Sequence, residues 1–184
     1  MKKIIFSAIT LFLIHNAQAQ GHYNGQYSLG LQYGVTKNGT AYNLNLQKLI
    51  GDNYFGIRVD AHYYDKETTL IVVESEKVPH KILSFGVAGT YSLEDILPHP
   101  LYVQLHLGAQ YSNENFNDGK NVTTKGLTYK TPNKNNYGVY GGAEIEVALL
   151  KFLSITGTVQ IQQMLNSDID KTIYFTGGGL KFNF

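Results

Sequence analysis

The chain contains no cysteine, which excludes a disulfide framework and a lipid-modified cysteine behind an export signal. Proline is scarce, at four residues, and the charges nearly cancel, with 15 Lys and Arg against 14 Asp and Glu. This balance excludes a strongly basic surface, so we expect no direct nucleic-acid binding. After residue 14 no apolar run approaches the roughly 20 residues that a membrane-spanning helix needs.

The amino terminus has the pattern of an export signal. Lys2 and Lys3 precede an apolar run at residues 4–14, and Ala17-Gln18-Ala19 follows as a small-x-small cleavage site. This pattern predicts a secretory signal peptide at residues 1–19. The remainder, residues 20–184, is long enough for one exported domain and hardly for two.

The carboxy terminus alternates strictly between two faces. One face carries Tyr174, Leu180, Phe182 and Phe184, and the other carries Gly177, Gly179, Lys181 and Asn183. Period-two alternation ending on an aromatic residue is typical of the closing strand of an outer-membrane barrel. We therefore interpret Gly179, Phe182 and Phe184 as a closing-strand signal that the barrel-assembly machinery recognises. The alternative is an edge strand of a soluble sandwich.

The same alternation recurs along the chain and predicts an all-β fold, an eight-stranded antiparallel transmembrane β-barrel in contact with outer-membrane lipid. The predicted strands are 26–36, 40–50, one starting at 54, 81–92, 101–111, 136–149, 153–165 and one ending at 184. Asn38-Gly39 predicts a tight hairpin. The stretches 65–81 and 112–135 are predicted as long loops, although the apolar residues 70–73 suggest that the third strand extends beyond the membrane.

Both long loops fall on the same side of an eight-stranded barrel, with short turns and both termini on the other side. Outer-membrane barrels have this arrangement, with the termini in the periplasm. With eight strands, side chains fill the interior and leave no open pore.

Several charged or titratable side chains are predicted to face that interior. They are Arg58, Asp60, His62, Glu144, Glu146 and Lys181. Because an unpaired buried charge is costly, we expect them to form a structural polar network. Lys181 is expected to find polar partners across the seam between the last and first strands. A gated ion path is the alternative.

The sequence offers little for catalysis. None of His22, His62, His80, His99 and His106 is followed two residues later by the serine that a lipid-trimming barrel enzyme needs. His62 and His106 fall on strands separated by a third, so we do not expect them to converge on a metal. We therefore predict no enzyme activity, catalytic residue, metal or cofactor. A lipid-modifying enzyme is a distant third alternative.

Residues 136–146, Asn-Tyr-Gly-Val-Tyr-Gly-Gly-Ala-Glu-Ile-Glu, resemble the penultimate hairpin of TraO, a conjugative-transposon family of Bacteroidota. Residues 164–168 and 177–184 are similar to the end of that family, and Tyr63-Tyr64-Asp65 also fits. The resemblance implies an outer-membrane accessory of a conjugation apparatus, contacting other conjugation proteins during DNA transfer and carrying no catalytic residues. The alternative is a general small barrel of the OmpA/OmpX kind, for envelope integrity, adhesion or binding.

Overall fold

The computed structural model describes residues 24–51, 55–71, 75–93, 97, 99–126, 128 and 133–184; the predicted signal peptide lies outside them. Eight strands follow one another around a closed antiparallel barrel, with β1 paired to β8. They are β1 (Tyr27–Thr36), β2 (Gly39–Ile50), β3 (Phe55–Ile71), β4 (Ser75–Ser92), β5 (Leu101–Phe116), β6 (Asn133–Leu150), β7 (Leu153–Met164) and β8 (Thr172–Asn183). The predicted fold class is confirmed. In the described part of the chain, no helix is long and apolar enough to cross a membrane.

Alternation along each strand separates an apolar outer surface from a polar interior. In β2, Asn43, Asn45 and Gln47 are buried, while the intervening Leu44 and Leu46 are almost half exposed. Successive side chains of a strand point to opposite faces, so closing the sheet puts every second residue inside. The polar residues of the sequence thus become the core, and the leucines and valines become the outer surface.

Aromatic residues form two rings on the outer surface. We call the end that carries the β1–β2, β3–β4, β5–β6 and β7–β8 connections the loop end. The ring towards the loop end consists of Tyr33, Tyr42, Tyr63, Tyr111, Tyr137 and Tyr174. The other lies at the opposite, terminal end: Tyr27, Phe55, Tyr91, Phe152 and Phe184. Ten residues of tilted strand separate Tyr174 from Phe184, a height of about 25 Å, which matches the apolar band of membrane barrels.

The predicted extension of the third strand beyond the membrane is confirmed, but the loop predicted at 65–81 is wrong, because most of that stretch is strand. β3 continues to Ile71 and β4 begins at Ser75, with pairing from Asp65↔Lys81 up to Ile71↔Ser75. Above the aromatic ring the outward residues are polar, so the apolar signal disappears although the alternation persists. Residues 72–73 of the apolar run and the predicted start at Tyr54 lie outside the described residues.

The predicted loop at 112–135 is likewise shorter than expected. β5 extends to Phe116 and β6 begins at Asn133, where Asn115 pairs with Asn133. Together β3–β6 have 16 to 18 residues each, whereas β1, β2, β7 and β8 have 10 to 12. Half of the barrel wall therefore projects beyond the loop-end ring.

The first hairpin turns one residue earlier than predicted. Thr36 pairs with Gly39, so Lys37 and Asn38 form the turn, and Asn38 has a φ of 64°. Asparagine tolerates this left-handed conformation. Gly39 instead lies in β2, where a Cβ would collide with the backbone of Asp65 and Lys66. Here the glycine permits close contact between strands.

Small residues line the inner side of the seam between β1 and β8. Gly34 pairs with Gly177, and Gln32 pairs with Gly179. The Phe175 ring packs over Gly34 and Gly177, in space that a Cβ on either residue would take. A single aromatic ring thus fills the interior beside a wall that has almost no side chains of its own.

Candidate functional site

The interior of the barrel is layered, and β3 shows the order of the layers. Its inward residues, from the terminal end to the loop end, are Arg58, Asp60, His62, Tyr64 and Lys66, all of them buried. They belong in turn to an ionic layer, an imidazole layer, an apolar layer and a second ionic cluster at the loop end. Each layer is completed by residues from other strands.

The ionic layer joins five of the six predicted interior residues. The Arg58 guanidinium lies 2.8 Å from Asp60 and 2.9 Å from Glu144. The Lys181 ammonium lies 2.8 Å from Glu144 and 2.9 Å from Glu146. The expectation that Lys181 has its partners across the β8–β1 seam is wrong: its register partner there is Gly30, and both carboxylates come from β6. An extended lysine reaches past β7 to the next strand.

Neutral donors complete the ionic layer. The Tyr140 hydroxyl donates to Asp60 at 2.7 Å, and the Gln32 amide donates to Glu144 at 2.9 Å. The Ser154 hydroxyl donates to Glu146 at 2.6 Å. Buried ions are tolerated only when their remaining lone pairs and protons have partners. Two cations and three carboxylates in this layer make it a structural core that is sensitive to the loss of either cation.

A glutamine joins the two histidines of the imidazole layer, a contact that the sequence did not predict. The Gln160 side chain of β7 lies between two rings, with its Nε2 3.0 Å from His62 and its Oε1 3.0 Å from His106. Gln160 makes both contacts because it reaches across the lumen from the wall opposite His62. Among the described residues, no group of three or more metal-binding side chains is close enough to hold an ion.

An apolar layer separates this polar interior from the loop end. It consists of Ala41, Tyr64, Ile82, Met164, Ile173 and Phe175. Each of these side chains is at most 2% exposed, so the layer is tightly packed. Desolvation in such a layer opposes the passage of ions. The described lumen therefore favours the structural network over the gated ion path.

A second ionic cluster lies above the apolar layer and beyond the loop-end aromatic ring, and the sequence reasoning missed it. The Lys66 ammonium lies 2.7 Å from Asp170, and His80 Nε2 lies 2.6 Å from Glu114. His80 Nδ1 lies 2.9 Å from the Thr68 hydroxyl and 3.4 Å from Asp170. The signal was available in the continued alternation of Lys66, Thr68, Val78 and His80 through the supposed loop.

The electrostatics of this cluster favour a charged His80. Burial alone lowers the pKa of His80, but its contacts with Asp170 and Glu114 outweigh burial, and the pKa is raised. Contact with His80, followed by the Lys66 ammonium, holds the pKa of Asp170 well below its ordinary value despite burial. Burial raises the pKa of Glu114, yet His80, Asn136 and Ser167 together bring it below the ordinary value.

The order Thr68, His80, Glu114 superficially matches a hydroxyl–imidazole–carboxylate triad. A triad needs a neutral imidazole that can take the hydroxyl proton. Here a second carboxylate, Asp170, contacts the same nitrogen as Thr68, and the pKa of His80 is raised. An imidazolium cannot act as that base, so the arrangement suits structure better than nucleophilic catalysis.

No protein-family model and no curated protein matches the chain. Solved structures do. A major outer membrane protein from Thermus thermophilus aligns with a TM-score of 0.64 and 11% identity, over 88% of this chain and 100% of that one. OprG from Pseudomonas aeruginosa gives 0.61 and 12%, over 91% and 99%. Ail, the attachment invasion locus protein of Yersinia pestis, gives 0.55 and 13%, over 88% and 100%. The protein is an outer-membrane β-barrel.

Outer-membrane barrels have short turns in the periplasm and longer loops outside, so we expect the terminal end of this barrel to face the periplasm. The closing-strand residues then lie towards the periplasmic end. Phe184 exchanges two backbone hydrogen bonds of 2.9 Å with Tyr27, and their rings stack with centroids 6.3 Å apart. Phe182 pairs with Leu29, and Gly179 packs against the backbone of Leu31 and Gln32. All three residues therefore contact β1.

Proposed function

We propose that the protein is a non-catalytic surface barrel that supports envelope integrity through the barrel itself and anchors a projecting β-wall in the outer membrane for adhesion or binding. The observation that carries this proposal is the unequal strand length: β3–β6 exceed the other strands by about six residues. Six residues of strand at about 3.3 Å each, tilted as in the membrane, add roughly 15 Å of wall outside the membrane. The additional residues of β3–β6 are not needed to close the barrel, since the other four strands pair with 10 to 12 residues each.

The filled interior supports the same proposal. A transport barrel needs a hydrated lumen, whereas this lumen contains packed ionic, imidazole and apolar layers. The described interior thus suits an anchor, which leaves the projecting wall as the part of the molecule available for binding. Ail, one of the barrels of similar fold, is named as an attachment invasion locus protein, which is consistent with a surface-binding role for this architecture.

The proposal is tested by trimming the wall without disturbing the barrel. Residues 69–77 are replaced by Asn-Gly, which joins Thr68 to its register partner Val78 and leaves every contact of His80 in place. Strains carry the full chain, the trimmed chain or a deletion. Surface adherence and detergent sensitivity are measured after the outer-membrane levels of both proteins are shown to be equal.

We expect the trimmed chain to lose adherence like the deletion while keeping its level in the outer membrane. Envelope integrity is expected to depend on the barrel itself, so the trimmed chain should restore detergent resistance. If the trimmed chain restores adherence fully, the wall is dispensable and the proposal is wrong.

A second candidate, carried by the sequence resemblance to TraO, is a scaffold role in conjugative DNA transfer. In that role the loops or the periplasmic turns contact other conjugation proteins, and the near-neutral chain does not bind DNA itself. The test is mating frequency from a donor with an in-frame deletion, with and without a plasmid copy. A collapse of transfer that the copy reverses supports this role, and unchanged transfer excludes it.

A further inference from the structure

Residues 165–171, which we call the strap, connect β7 to β8 across the outer mouth of the barrel. The Ser167 hydroxyl donates to Glu114 of β5 at 3.0 Å, and Asp170 accepts from Lys66 of β3 at 2.7 Å. In an eight-stranded barrel, β3 lies opposite β7, β4 lies opposite β8, and β5 lies two strands from β7. The strap therefore covers the lumen and is fastened at its far side.

His80 of β4 lies at that fastening point. Its ring is fully buried, packs edge-on against Phe116 at 5.5 Å, and contacts both carboxylates that hold the strap, Glu114 and Asp170. We propose that the strap is a pH-sensitive latch, held over the lumen by protonated His80 and released when His80 loses its proton.

Charge balance supports this assignment. With His80 protonated, two cations, His80 and Lys66, face the two carboxylates Glu114 and Asp170. Loss of the His80 proton leaves a buried excess negative charge beside the strap, which is costly in a low-dielectric environment. The other charged pairs nearby are farther out: Lys134 of β6 binds Asp168 of the strap, and Lys77 binds Glu67 between β4 and β3.

The direction of the pH effect follows from His80. Because the pKa of His80 is raised and the pKa values of Glu114 and Asp170 are lowered, the carboxylates stay ionised through the neutral range and His80 titrates. A group with a raised pKa stabilises the folded arrangement fully below its ordinary value of 6.5. That stabilisation disappears as the pH rises through the raised value, so the strap opens on the alkaline side.

The strap has space beside it. A polar cleft of about 420 Å³ lies between the strap and the β1–β2 turn, lined by strap residues Ile169 and Asp170 and by Lys37, Asn38 and Thr69. Lifting the strap uncovers the apolar layer at Ile173. The latch therefore controls whether that surface meets water or an outside molecule.

A spin label reports this motion directly. The chain has no cysteine, so Ile169→Cys carries a single nitroxide on the strap. The full-length barrel is refolded in detergent micelles, and label mobility is recorded from about pH 5.5 to about pH 9. We expect a restrained spectrum at low pH and a mobile one at high pH, with a midpoint above 6.5. A label at Val122→Cys, 51% exposed in the β5–β6 connection, is the control and should not respond.

Two variants distinguish release of the strap by His80 from a pH effect on the loop end as a whole. His80→Gln keeps a polar side chain without a charge, so the strap label should be mobile throughout. Glu114→Gln removes one carboxylate from His80, so the midpoint should shift to lower pH. The proposal is overturned if label mobility in the parent does not change with pH, or if His80→Gln shows the same midpoint as the parent. It is also overturned if a folded Glu114→Gln variant shows no shift of the midpoint. Circular dichroism establishes folding, and Glu114→Gln decides alone if His80→Gln does not fold.

Discussion

Replacing Lys181 by methionine tests whether the interior ionic layer holds the barrel together. The Lys181 ammonium is 2% exposed and lies within 2.9 Å of both Glu144 and Glu146. Methionine keeps an unbranched side chain of similar length but removes the charge. Glu144 retains Arg58, whereas Glu146 loses the ammonium beside it; the neutral donors Ser154 and Asn183 are among the contacts that Glu146 keeps.

The expected cost is large, because removing one partner of a buried ion pair leaves an uncompensated charge. Such changes cost about 3–5 kcal/mol in the free energy of unfolding. The double variant Lys181→Met with Glu146→Gln removes the Glu146 charge as well. We expect it to be more stable than Lys181→Met alone, with a coupling energy of about 0.5–3 kcal/mol between the two positions, measured with Glu146→Gln as the second single variant.

The assay is urea unfolding of the full-length barrel in lipid vesicles. The chain has no tryptophan, so circular dichroism and gel mobility of unheated samples report the folded fraction. A loss below about 1 kcal/mol, the value of an exposed ion pair, would refute a dry ionic layer. Equal losses in the single and double variants would show that the Glu146 charge is not left stranded.

Three further predictions concern the wall of the barrel. Gly179→Val should slow or prevent refolding, because a Cβ at position 179 would collide with the backbone of Leu31. Gly157→Val is the control, since a Cβ at position 157 points into open space and this variant should refold normally. Refolding is measured by gel mobility, and equal refolding of the two variants would contradict the seam packing. Leu107→Arg, at a position 72% exposed in mid-strand, should cost about 2–4 kcal/mol in vesicle unfolding, and a cost near zero would place this surface outside lipid. Phe184→Ala keeps both backbone bonds to Tyr27, so refolding in micelles should be unchanged while the amount in the cellular outer membrane falls; unchanged cellular levels would remove Phe184 from the assembly signal.

The sequence was most informative in the membrane-spanning part, where apolar residues facing lipid alternate with polar residues facing the interior. Between the aromatic rings, outward residues such as Leu44 and Leu107 are apolar and inward ones such as Asn43 and Gln104 are polar, so both strand and face are readable. Outside the membrane, outward residues such as Glu67 and Lys77 are charged. The contrast then disappears although the strand continues. Only the extension of β3, with its apolar residues 70–73, was predicted, and the extensions of β4–β6 were not.

Contacts across the lumen were the least predictable part of the site. That Arg58 and Glu144 face inwards follows from alternation, but which residues meet depends on side-chain length and on the tilt of the strands. Lys181 reaches two strands away, and Gln160 reaches the opposite wall. The strap was unpredictable for a related reason, since Ser167 and Asp170 bind residues of three strands that are distant in sequence.

The small residues along the seam affect how β8 pairs with β1 to close the barrel. When β8 reaches β1, the side chains facing inwards at Gly34, Gly177 and Gly179 are single hydrogens, so nothing must interdigitate before the backbones join. Joining then depends on main-chain hydrogen bonds, which can form one after another from either end. Gln32 and Lys181, which flank these glycines, bind Glu144 and tie the seam to the interior. The seam is thus sterically simple in itself and is held from within by the ionic layer.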